Sequence, residues 1–179
     1  DQKQHLEFAR DIALKFNKDF GETFRIPEPE IDQNVAIVPG IDGQKMSKSY
    51  GNTINLFDSE KNIKKTIMSI ITDSSNIDEP KDPNQSVIYQ IFSLFLSDEE
   101  KKVLRLRFGE PGLRYGDLKK ELLGVVLDYF APYREKREKL AKDKALIQKI
   151  LNNGKEKATL AAAPQIEKAR YYTGIKGLF

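Results

Sequence analysis

QKMSKSYGNT (residues 44–53) sets two lysines, Lys45 and Lys48, three positions apart beside the hydroxyls of Ser47 and Ser49. The run Pro39-Gly40-Ile41-Asp42-Gly43 stands directly before it, and Gly51 lies near its end. Pro-Gly and Asp-Gly pairs mark turns, so both lysines belong to a glycine-bordered loop that can bend. Each ammonium is a compact point charge with three donors, and hydroxyls add short hydrogen bonds. Such a loop suits an anion with several oxygens. If that anion is a triphosphate whose leaving group gains charge in the transition state, the lysines act as electrostatic catalysts. The plain alternative is a solvated basic loop with no ligand.

Two other motif readings fail. A P-loop needs Gly-Lys followed at once by Ser or Thr, and here Gln44 precedes Lys45 while Met46 follows it. Gly40-Ile41-Asp42-Gly43 fits the letters of a KH-domain GXXG, but an apolar run precedes it where a helix is required.

Upstream of the loop, Leu6, Ala9, Ala13, Phe16 and Phe20 recur at three- and four-residue steps, which predicts a helix over residues 2–20 ended by Gly21. Pro27 and Pro29 make residues 24–33 extended. Val35-Ala36-Ile37-Val38 reads as a short buried strand stopped by Pro39-Gly40. Helix, loop, strand and glycine loop together look like the tail of an α/β unit.

Downstream, the pattern turns wholly helical. Ser59 caps a helix running to about Ile71, and Ile88, Ile91, Phe92 and Phe95 stripe another over residues 87–96. Ser97-Asp98-Glu99-Glu100 is a capping box. A long helix from Tyr115 should break at Pro132, and the next should stop at Asn152-Asn153-Gly154. The last, from Lys155 to Tyr172, should kink or split at Pro164. The stripe Leu122, Val126, Tyr129 reads as core.

Composition narrows the function. The 179 residues contain no cysteine and one histidine, which excludes disulfide frameworks and multi-histidine metal sites. A net charge of +3 permits an anionic partner without requiring one. No apolar run approaches a membrane span, and no secretory signal pattern opens the chain, so a cytoplasmic protein is expected. Asn84-Gln85-Ser86 matches a glycosylation acceptor but reads as a helix start.

Lys45-Met46-Ser47-Lys48-Ser49 is, letter for letter, the KMSKS signature of class I aminoacyl-tRNA synthetases, and it is followed by Tyr50-Gly51-Asn52. With Asp1-Gln2, the stretch QHLEFARDIALKFNKDFGE, Pro27-Glu28-Pro29, Thr72-Asp73-Ser74 and the terminal GKEKATLAAAPQIEKAR, nearly the whole chain resembles bacterial tryptophanyl-tRNA synthetases. Tyrosyl-type synthetases are the nearest rival. The resemblance implies the C-terminal portion of such an enzyme. Residues 1–58 would be a remnant of a Rossmann-like nucleotide-binding domain, and residues 59–179 a helical domain of the anticodon-binding type. The last helix would pack back on the catalytic part.

The implied function is ATP-dependent activation of L-tryptophan to the adenylate and transfer to tRNA(Trp), with ATP arriving as its Mg2+ complex and no tightly bound cofactor. Lys45 and Lys48 would bind the ATP phosphates and stabilise departing pyrophosphate, Lys48 having the sharper catalytic role. Ser47 and Ser49 would add hydrogen bonds and Met46 an apolar hinge contact. Asp1 would meet the adenosine ribose, Gln2 the tryptophan amino group, and Ile37 the adenine. Full-length members work as homodimers. The family's HIGH motif is missing from the sequence, so this chain alone is expected to be inactive. A helical tRNA-binding module without catalysis remains the alternative of another class. Tyr115 and Tyr133 are candidate base-stacking residues, His5 is an ordinary helix residue or lies behind the Asp1-Gln2 motif, and the basic stretch 134–144 reads as a solvated, internally paired helix face.

Overall fold

The structure, a computed structural model, describes residues 2–31 and 37–175. Their regular elements are helices: α1 (Lys3–Phe20), α2 (Glu60–Met68), α3 (Val87–Ser93), α4 (Asp98–Gly109), α5 (Tyr115–Lys142) and α6 (Lys144–Thr173), with a 3-10 turn at Lys48–Tyr50. The protein is thus mostly helical. It packs as two compact units, one of residues 1–32 with 138–179 and one of residues 33–137. These are groupings by contact, and a division by function at residue 58 is a separate matter.

In the first unit, α1 leaves through a hook. Gly21 adopts φ +93°, open to glycine at little cost, and its N–H closes on the Asn17 carbonyl at 2.9 Å. The Asn17 carboxamide then holds the departing chain, accepting from the N–H groups of Thr23 (3.0 Å) and Phe24 (2.8 Å) and donating to the Phe24 carbonyl (2.7 Å). Phe16 meets Phe20 and Phe24 at ring separations of 4.9 and 4.8 Å. Helix α6 reaches the same hook: Gln165 donates to the Thr23 carbonyl and Lys168 to that of Glu22 at 2.8 Å.

The second unit holds the main core. Ile63 and Ile67 of α2, Ile88 of α3, Phe108 of α4, and Leu118 and Leu122 of α5 are each no more than 1% exposed. Burying side chains of this size contributes about 1.5–3 kcal/mol apiece. The expected capping box is present, with Ser97 accepting from the Glu100 N–H and Glu100 accepting from the Ser97 N–H at 2.8 Å. These bonds from the Ser97 backbone and hydroxyl hold the Glu100 carboxyl below its ordinary range. Tyr89 and Phe108 pack edge to face at 5.3 Å.

Several expectations need correction. Helix α2 stops at Met68 rather than near Ile71, because the Ile71 N–H is taken by the Ile41 carbonyl (2.9 Å). Lys119 replaces the missing helical donors, giving its ammonium to the carbonyls of Met68 (3.1 Å) and Ile70 (2.6 Å). Helix α3 ends at Ser93, short of Leu96.

Helix α5 runs unbroken through Pro132, and α6 runs through both Asn152-Asn153-Gly154 and Pro164. Proline removes one donor and asparagine or glycine costs under about 1 kcal/mol each, so long flanks of good helix formers outweigh them. Near Pro132 the Arg134 guanidinium donates to the Leu127 carbonyl at 2.6 Å.

The strand expected at residues 35–38 is absent from its described part. Val35 and Ala36 lie outside the described residues, while Ile37 and Val38 are irregular. Among the described residues the only ladder contact is the isolated bridge between Pro39 and Lys45. A lone extended segment leaves its backbone groups without partners, and none of the described residues supplies a neighbouring strand. Tyr129, expected in the core, is 56% exposed, one turn beyond buried Val126.

Candidate functional site

The lysine loop folds as a tight, cross-braced turn within the second unit. The Met46 N–H donates to the Val38 carbonyl (2.9 Å) and the Gly40 N–H to that of Gln44 (2.7 Å), so residues 38–46 double back on themselves. Gly43, at φ +77°, closes the bend. Ser47 then caps the 3-10 turn Lys48–Tyr50 by accepting from the Ser49 N–H, and Gly51 leaves the turn in the left-handed region at φ +66°. The two serine hydroxyls share a hydrogen bond of 2.8 Å.

At the centre of the loop lies Asn52, 2% exposed. Its Oδ1 accepts from the Ser47 N–H at 2.8 Å. Its Nδ2 donates to Asp42 Oδ1 (2.8 Å) and to the Lys45 carbonyl (3.2 Å). The Asn52 carbonyl accepts from the Ile41 N–H at 3.0 Å. Gly40 makes this possible, since a Cβ there would lie 2.3 Å from Asn52 Nδ2.

Lys45, Ser47, Lys48 and Ser49 are therefore brought together on one loop, with both lysines exposed. Among the described residues neither ammonium is in an ion pair. Met46 turns the other way and lines an apolar cavity of ≈ 220 Å³ with Val38, Ile54, Leu56, Phe95 and Phe130. The loop thus presents charge outward and seats its methionine against the helical core. Ile37 leads into the loop at 70% exposure. Gln2 lies in the other unit, where its carbonyl starts α1 by accepting from His5 (3.1 Å) and Leu6 (3.2 Å) while its side chain stays exposed. Asp1 lies outside the described residues.

Sequence reasoning missed Asp42 and Asn52. Both are small polar residues next to glycines and read as turn formers, and only the fold shows that they meet. The basic residues of α4 and the first turns of α5 resolve differently. Lys101 pairs with Asp98 (3.1 Å), Lys120 with Asp117 (2.9 Å), and Arg107 with Glu121 through two bonds of 2.8 Å. The Glu121 bond holds the Arg107 guanidinium above its ordinary range. Arg105 donates to Asn84 (2.9 Å) and covers the Tyr89 ring.

Of the two candidate stacking tyrosines, Tyr115 is engaged, its hydroxyl donating to Asp73 at 2.6 Å. Tyr133 is 52% exposed and stacks on Tyr129 at 6.2 Å. Among the described residues, no helix is long and apolar enough to cross a membrane, and no group of three His, Cys, Asp or Glu could hold a metal ion.

A family model described as tRNA synthetases class I (W and Y) matches residues 1–131. The tryptophan–tRNA ligase of Fusobacterium nucleatum is 47% identical over 99% of this chain and 54% of its own length. That of Rhodopirellula baltica is 42% identical over 98% of this chain and 55% of its own. The tryptophanyl-tRNA synthetase of Campylobacter jejuni, solved as a complex with ADP and tryptophan, matches with a TM-score of 0.79 at 43% identity. That match covers 97% of this chain and 54% of the solved one. The chain spans about half the length of the curated relatives it matches.

Proposed function

The chain belongs to the class I tRNA synthetases of the tryptophanyl and tyrosyl type, and on that premise we propose that it carries the pyrophosphate-handling loop and helical portion of a tryptophan–tRNA ligase. In the reaction, the tryptophan carboxylate attacks the α-phosphorus of ATP, the aminoacyl-adenylate forms and pyrophosphate leaves. The aminoacyl group then passes to the terminal ribose of tRNA(Trp). Negative charge grows on the departing oxygen as the bond breaks. Lys48 neutralises that charge and Lys45 holds the outer phosphates, while Mg2+ enters as part of the ATP substrate.

The observation that carries this reading is the pair of exposed ammonium groups on a braced loop, with no carboxylate claiming either among the described residues. Lys101 and Lys120, by contrast, are held by carboxylates of their own helices. The Ser47 and Ser49 hydroxyls bond each other here, and on ligand entry they would turn to phosphate oxygens. Asp1 and Gln2 are assigned to ribose and the tryptophan amino group, and Ile37 to adenine. Residues 1–58 are assigned to the catalytic portion and 59–179 to the anticodon-binding portion. The bonds from Gln165 and Lys168 to residues 22 and 23 support a last helix that packs back on the catalytic part. The complete enzyme works as a cytoplasmic homodimer.

The test is tryptophan-dependent ATP–pyrophosphate exchange in a full-length enzyme containing this segment. Replacing Lys48 with alanine should slow exchange by roughly 10²–10³, the loss typical of one preorganised donor. Unchanged exchange would overturn the assignment. The sequence HIGH does not occur in the 179 residues, and alone they should show no exchange. A second reading, tRNA binding without catalysis, draws on the exposed Tyr129–Tyr133 stack. Salt-sensitive tRNA binding with no effect of ATP would favour it.

A further inference from the structure

We propose that Asn52 is the positioning residue of the lysine loop, the group that sets where Lys45 and Lys48 stand when a polyphosphate arrives. The proposal rests on reading the loop as a polyphosphate site, and the experiment below separates the two. Asn52 touches neither ammonium. It bonds instead the two backbone groups on either side of Met46, the Lys45 carbonyl at 3.2 Å and the Ser47 N–H at 2.8 Å. Ser47 caps the turn that carries Lys48, so one side chain fixes the main chain beneath both lysines.

The chemistry admits only asparagine. The Ser47 N–H can only donate, and it therefore faces Oδ1. The Asp42 carboxylate and the Lys45 carbonyl can only accept, and they therefore face Nδ2. All three partners agree on one amide orientation. Aspartate at position 52 would offer no donor and would set two carboxylates at the 2.8 Å now spanned by the bond to Asp42. Leucine, of similar shape, would leave the Ser47 N–H and the Lys45 carbonyl unpaired and take one bond from Asp42. Glutamine needs one more methylene where even a Cβ on Gly40 would lie 2.3 Å away. With the residue 2% exposed, water cannot take over these bonds, and unpaired buried groups are costly.

Asp42 is the second half of the brace, because its Oδ1 also accepts from the Gln44 N–H at 3.0 Å. That arrangement forbids an exchange of the two side chains. With asparagine at 42 and aspartate at 52, the one atom of residue 42 that meets both the Gln44 N–H and position 52 would have to accept and donate at once. Asn52→Asp keeps an acceptor for Ser47 but loses both bonds that Nδ2 donates, to residue 42 and to the Lys45 carbonyl.

Calorimetric titration of the chain with inorganic tripolyphosphate is the primary measurement, with hydrogen exchange of the Ser47 amide alongside. Asn52→Ala should weaken binding by about tenfold or more, the consequence of losing buried hydrogen bonds, and should speed Ser47 exchange at unchanged helix content. Asn52→Asp alone should do the same. Asp42→Ala removes one partner of Asn52 Nδ2 and leaves the Ser47 and Lys45 bonds in place, so it should weaken binding by less than Asn52→Ala does. Binding that survives Asn52→Ala while Lys48→Ala abolishes it overturns the role of Asn52 and leaves the loop reading standing. No binding by the unaltered chain overturns both. If Asn52→Ala loses helix content, Asp42→Ala decides: folded with weakened binding and faster Ser47 exchange supports the proposal, folded with unchanged binding and exchange overturns it.

Discussion

Gly40 and the pair Asp73–Tyr115 show how much hangs on single residues. The absence of a side chain at Gly40 is the space that Asn52 occupies. Gly40→Ala should therefore disorder the lysine loop while sparing the helices, seen as fast Ser47 amide exchange at unchanged circular dichroism. Asp73 anchors the 72–84 loop to α5 through the Tyr115 hydroxyl at 2.6 Å. Partial burial pushes the Asp73 carboxyl up, but hydrogen bonds from Tyr115 and Ser75 outweigh it and hold it below the usual carboxylate range. Burial first, and then Asp73, push the Tyr115 hydroxyl well above its usual 10.

The signs follow from these directions. A lowered carboxyl stabilises the fold above the ordinary 3.8 and loses that contribution as pH falls through its folded value. A raised phenol is fully protective below 10 and loses its contribution as pH rises through its folded value. Urea midpoints should therefore fall at both extremes, and Tyr115→Phe should remove the contribution of this pair at both. An unchanged acid limb in the phenylalanine variant would contradict it.

Among the elements, α4 follows its local signals and α5 defies one of them. The Ser97–Glu100 capping box satisfies two donors at the start of α4, so Ser97→Ala should destabilise the chain by about 1 kcal/mol in denaturant unfolding. Helix α5 carries Pro132 in its interior. Pro132→Ala restores a donor there and should raise stability by up to about 3 kcal/mol; a lowered melting temperature would mean the proline-shaped geometry is needed. Helix α6 has no buried residue yet spans Lys144–Thr173, with Asp143 capping one end and Gly174 the other. Its long run of lysine, alanine, leucine and glutamine supplies the propensity.

For the whole molecule, the buried cluster of the second unit and the lysine loop perform separate tasks and are joined by backbone and apolar contacts. The Ile71 N–H bonds the Ile41 carbonyl, and Met46 enters the apolar cavity that Phe95 and Phe130 also line. Leu122 is fully buried in that cluster, so Leu122→Ala should cost 2–5 kcal/mol in unfolding free energy. Lys48→Ala should cost almost none, because its side chain is exposed and unpaired among the described residues. Equal losses in the two variants would mean the loop is part of the core.

The sequence alone determined the helices, the capping box and the loop motif, because periodicity, caps and glycine turns act over a few neighbouring residues. It also placed Lys45, Ser47, Lys48 and Ser49 together, since they are adjacent in the chain. Tertiary structure alone decided that α2 halts at Met68, that α5 and α6 run through their breakers, and that Asn52 sits under the loop against Asp42 and Gly40. Each of those outcomes depends on a partner ten or more residues away or on the summed weight of a long helix, and neither is written in any short stretch of residues.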